Sequence, residues 1–98
     1  MSFKVVLNKR AHKDIASWGL PDSVLVDVYL RLREVLSEKP RAHLVSSADP
    51  YDGMVFPLEF IDPANRLSVF RLLFRVVYGQ DEETLFVLRG TMLHIFGA

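Results

Sequence analysis

The chain has 98 residues, half of them hydrophobic and 11% aromatic, a composition that fits one globular domain over residues 1–98 with a buried core and excludes a disordered chain. Twelve basic and twelve acidic residues cancel, whereas nucleic-acid binding usually shows as an excess of Lys and Arg. No cysteine is present, so disulfides, thiolate metal sites and thiol nucleophiles are excluded. His12, His43 and His94 are too scattered for a ligand motif, so neither a metal nor another cofactor is expected. No uncharged run approaches the roughly 18 residues of a membrane helix, and the opening "MSFKVVLNKR" carries Lys4, Lys9 and Arg10. The expectation is a cytoplasmic protein with no membrane partner.

In chain order, "SFKVVLN" is rich in β-branched and aromatic residues and reads as a strand with Phe3, Val5 and Leu7 on one face. Asn8 can cap a helix from Lys9 to Trp18, where Ala11, Ile15 and Trp18 recur at helical spacing and Gly19 stands at the αL position. Pro21 and Asp22 start a second helix whose stripe Val24, Leu25, Val28, Leu32, Val35 and Leu36 runs to about Glu38 before Pro40 stops it. Residues 41–53 carry turn formers and little periodicity and read as a loop. "MVFPLEFID" reads as a strand whose Pro57 marks an edge or a bulge, "DPAN" as a tight turn, and "RLSVFRLLFRVVY" as the longest strand. "GQDEE" makes a hairpin with an acidic, soluble tip, and "TLFVLRGTMLHIF" a last strand interrupted at Gly90. The order β-α-α-β-β-β predicts an α+β fold: two N-terminal helices packed on one face of a mostly antiparallel sheet of about four strands, the other face left open.

On the long strand Phe70, Leu72, Phe74 and Val76 share one face, and Val69, Arg71, Leu73, Arg75 and Val77 the other. Burying an unpaired guanidinium costs several kcal/mol, so the arginine face is expected to be the uncovered one or a cleft. Two readings of Arg71 and Arg75 stand side by side: cross-strand partners of acids such as Glu59, or bidentate grips for phosphate. Charge is also unevenly spread. Between Arg41 and Arg66 there are four acids (Asp49, Asp52, Glu59, Asp62) and no Lys or Arg, while Lys9, Arg10 and Lys13 cluster early and Arg66, Arg71, Arg75 and Arg89 come late. The early cluster is either a solvated helix face or an RNA contact.

The first strand, the helix opening "KRAHKDI", the longer second helix and the pattern Phe70-Arg71-Leu72-Leu73-Phe74 in the long strand together resemble the RelE/ParE toxin superfamily of bacterial toxin–antitoxin systems. For RelE-like members the resemblance implies a ribosome-dependent endoribonuclease that cuts mRNA in the decoding site by activating the ribose 2′-OH against the adjacent phosphate. Such chemistry needs cations on the scissile phosphate and a group that moves protons. The resemblance places Arg71 on the phosphate; a nuclease reading adds Arg89 and Arg75 on the phosphate, with Lys9, Arg10 and Lys13 as RNA contacts. His94, five residues past Arg89, stands where members carry an acid or base after the last strand. A lone histidine in "MLHIF" is more often a packed or surface residue. A carboxylate near Arg71, such as Asp49 or Asp52, is another candidate base.

Two features depart from the family pattern: "MVFPLEFI" has no lysine, and "GTMLHIFGA" lacks a Lys/Arg-rich ending. ParE-like members inhibit DNA gyrase by binding, without nuclease residues, and other relatives lose toxicity. The resemblance therefore implies either an mRNA interferase or a binding protein of the same fold. In both cases the expected partner is a cognate antitoxin, with ribosome and mRNA added if the protein is an active nuclease. Leu85, Val87, Met92, Leu93, Ile95 and Phe96 exceed what two short helices cover, so they mark a partner interface, fill the core or join a homodimer.

Overall fold

Alternation of period two, set against helical stripes of period 3.6, decides which face of the sheet is covered. A computed structural model of the chain describes residues 3–46 and 54–96. Strand β1 (Lys4–Leu7) leads into helix α1 (Lys9–Ser17), whose first turn is capped by Asn8: its Oδ1 accepts the Ala11 N–H at 3.0 Å. The helix stops where Gly19 turns left-handed at φ +62°. Helix α2 (Asp22–Glu38) buries Val24, Val28, Leu32 and Leu36 as one stripe.

A five-stranded sheet completes the fold, with β2 (Val45–Ser46), β3 (Met54–Asp62), β4 (Asn65–Tyr78) and β5 (Thr84–Phe96) beside β1. The strand order is β1-β5-β4-β3-β2, antiparallel throughout except that β1 runs parallel to β5. Two helices over one face of a mixed sheet is the expected α+β architecture. Phe56, Leu72, Phe74, Val76, Leu85 and Val87 meet Ala11, Ile15, Val28, Leu32 and Leu36 in a single buried core. Burying each such side chain contributes about 1.5–3 kcal/mol.

Two expectations are corrected and one is extended. The stretch 41–53 is not wholly a loop, because a further helical turn, α3 (Pro40–His43), and the two residues of β2 occupy its start. Pro40 ends α2 but its fixed φ suits the first position of the new turn. The expected sheet of about four strands is extended by a short fifth, since β2 adds two residues to the edge of β3 at Val55 and Met54. Beyond that pairing β3 is an edge, which is where Pro57 lies. Finally, β5 passes through Gly90 without interruption. Its irregularity is a bulge at Leu88, where Arg75 pairs Arg89 but Val76 pairs Val87. Gly90 is needed for another reason: a Cβ there would come within 2.7 Å of the Trp18 indole and 3.0 Å of Phe74, so only glycine lets the end of α1 close on the sheet.

Candidate nucleic-acid interface

Residues opposite one another in the ladders build the open face row by row. Ile61, Val69 and Ile95 form one row across β3, β4 and β5. Next come Glu59, Arg71 and Leu93, then Pro57, Leu73 and Thr91, then Val55, Arg75 and Arg89. No helix covers this side: Arg71, Arg75, Arg89 and Glu59 are exposed, whereas the alternate residues Phe70, Leu72, Phe74 and Val76 are buried beneath the helices. Arg71, Arg75 and Arg89 are thus gathered on one surface.

Their electrostatics differ. Arg71 Nε lies 3.6 Å from Glu59 Oε1, with 48% and 62% of the two side chains in solvent. Such a pair is weak and readily exchanged for another anion. Arg75 and Arg89 are direct cross-strand partners, so their Cβ atoms are about 4.5–5.5 Å apart and an anion between them is drawn by both. Arg71 stands two rows away, about 13 Å along the strand. Leu73 lies between Arg71 and the Arg75–Arg89 pair, and Val69, Leu93 and Ile95 flank Arg71, giving a surface that presents guanidiniums on a hydrophobic ground.

His94 is not part of this surface. His94 lies five positions after Arg89, an odd offset with no bulge between them, so the two face opposite sides of the sheet. On the helix side, His94 stacks on Phe70 at 4.4 Å and meets Phe96 at 4.3 Å with the rings tilted. Its Nε2 lies 3.2 Å from Ser68 Oγ and 3.4 Å from Asp62 Oδ2, an arrangement that suits an Nε2–H donating to both. Asp62 also accepts the Ala64 N–H at 2.9 Å and the Ser68 hydroxyl at 3.1 Å. These bonds, the Ala64 N–H foremost, hold its carboxyl below the ordinary aspartate range. Ser68 is fully buried, which bars it from acting as a nucleophile. The group ties the end of β5 to the β3–β4 hairpin. Its one signal in the sequence is Ser68, the one polar residue in the otherwise apolar row Ser68, Phe70, Leu72, Phe74 and Val76.

Lys9, Arg10 and Lys13 also stand apart, exposed on α1 in the helix layer, with Arg10 Nε 3.4 Å from Asp14 Oδ1. Asp49 and Asp52 lie outside the described residues. A concavity of about 450 Å³ lined by Glu34, Val35, Glu38, Lys39 and His43 opens at the end of α2, away from the arginines. Among the described residues no cluster of His, Asp and Glu is gathered that could hold a metal ion, and no helix is long and apolar enough to cross a membrane.

Comparison with solved structures finds a similar chain in the toxin–antitoxin complex RelBE2 from Mycobacterium tuberculosis. The two superpose with a TM-score of 0.64 over 95% of this chain and 100% of that one, at 22% identity. The fold is RelE-like. No protein-family model and no curated protein matches the sequence. In this chain the sheet face that the helices leave uncovered carries Arg71, Arg75 and Arg89.

Proposed function

We propose that this chain, acting as a single domain, is the toxin of a type II toxin–antitoxin pair held by a cognate antitoxin in the cytoplasm, and that its open sheet face engages ribosome-bound mRNA as a RelE-like endoribonuclease. What carries the reading is the pair Arg75 and Arg89, set directly across from one another on an uncovered face with Arg71 on the same side. Guanidiniums bind phosphate bidentately and stabilise charge that develops on it. Glu59, beside Arg71, is the carboxylate on that face able to accept the ribose 2′-OH proton. The structural neighbour, itself part of a toxin–antitoxin complex, supports the same assembly here.

One observation favours a second reading. The imidazole of His94 faces the helix side, leaving the arginine face without a histidine, which suits a toxin that inhibits by binding, as ParE-like proteins do on gyrase. Incubating the pure protein with programmed ribosomes and reading the mRNA 5′ ends separates the two. Discrete cleavage that disappears in Arg89→Ala is expected. Intact mRNA with the wild-type protein would remove the nuclease and leave the binding protein.

A further inference from the structure

Beyond its short pairing with β1, the outer edge of β5 is open among the described residues. On that side β1 pairs only with residues 84–87, where the Val87 carbonyl accepts the Asn8 N–H at 3.1 Å. The next group turned outward is the Gly90 N–H, which α1 takes with Asp14 Oδ2 at 3.0 Å. In an antiparallel ladder outward and inward residues alternate, so Met92, His94 and Phe96 also direct their backbone N–H and C=O away from β4. Among the described residues no strand meets them.

This edge has none of the usual safeguards. Residues 91–96, "TMLHIF", contain no Lys, Arg, Asp, Glu, Pro or Gly, and Leu93, Ile95 and Phe96 are 48%, 45% and 69% exposed. The opposite edge of the sheet, by contrast, is interrupted by Pro57 and carries Glu59.

We propose that the β5 edge pairs with the same edge of a second copy of this chain, antiparallel about a two-fold axis through His94. That register brings Met92 opposite Phe96 of the second copy and His94 opposite itself, using all three outward residues in about six hydrogen bonds. It stops short of Gly90, whose N–H Asp14 already occupies. Charge selects the occupant. Two-fold pairing repeats every residue across the axis, so a charged segment would set like charges close together, and this segment is neutral in a chain of zero net charge. Leu93 of one copy then lies against Ile95 of the other, covering the apolar surface that each leaves exposed.

A charge-swap pair tests the interface and its register, with mass measured by light scattering across a concentration series. The wild-type protein is expected to be a dimer. Leu93→Glu with Ile95→Glu sets Glu against Glu across the axis and should give a monomer at the same concentrations. Leu93→Glu with Ile95→Lys sets Glu against Lys and should restore the dimer, which also serves as the folding control for the first variant. A wild-type monomer at every concentration overturns the proposal and leaves the edge to a strand of another protein. A dimer that survives the Glu/Glu variant, or a Glu/Lys variant that stays monomeric, overturns it as well.

Discussion

Arg71→Ala separates what this guanidinium does for the fold from what it does for a target. In the folded chain it faces Glu59 at 3.6 Å across the β3–β4 ladder, with both side chains about half in solvent. Unit charges at that distance attract by about 1 kcal/mol in bulk water and about 4–5 kcal/mol at the effective dielectric of a protein surface. Side-chain ordering and salt offset most of this, so exposed pairs contribute about 0.2–1 kcal/mol. For a domain of this size 1 kcal/mol corresponds to about 4–8 °C in Tm. The variant should therefore melt within about 8 °C of the wild type while relieving growth arrest on induction. Thermal unfolding by circular dichroism reads the first quantity; growth curves with protein levels checked by immunoblot read the second. Undiminished arrest at normal protein level would refute the role assigned to Arg71. A loss of more than about 2 kcal/mol would instead make it a structural residue whose phenotype says nothing about phosphate.

Two further predictions concern the supports of that surface. Gly90→Ala should destabilise by about 1–3 kcal/mol, since the new Cβ at 2.7 Å forces the Trp18 indole to move; an unchanged urea midpoint would mean that α1 does not close on β5 as described. Asp62 has its folded pKa below its unfolded value, so its carboxylate contributes stability that is present above about pH 4 and lost as pH falls through the folded value. Asp62→Asn should accordingly be less stable than wild type at neutral pH, with the difference shrinking below about pH 4 in unfolding curves taken across pH. A difference constant with pH would show that the charge contributes nothing.

Much of the sheet could be read from alternation alone. Phe70, Leu72, Phe74 and Val76 lie buried and Arg71 and Arg75 exposed as period two requires, because one buried face fixes the register of a strand. The same rule, applied from Arg89 to His94, puts the imidazole on the far side; its position after the last arginine points the other way, and parity wins. What one-dimensional patterns could not supply was the parallel docking of β1 beside β5, a long-range pairing made by backbone groups that carry no side-chain signature. Nor could they supply β2, whose two residues are held by β3 rather than by any preference of Val45 and Ser46 for extended structure. The reach of Asp14 to the Gly90 N–H, across 76 positions of the chain, was hidden for the same reason.

The extra residue at Leu88 gives the last strand one point of tolerance to a change in length. Removing it would let Arg89 come directly after Val87 and leave every later side chain on its present side. Removing any single residue between Thr91 and Phe96 would instead turn the remainder of the strand inside out, sending Ile95 towards the helices or Phe96 towards the cations. Natural variants one residue shorter in this strand should therefore have lost that position and no other, with their arginine surface intact.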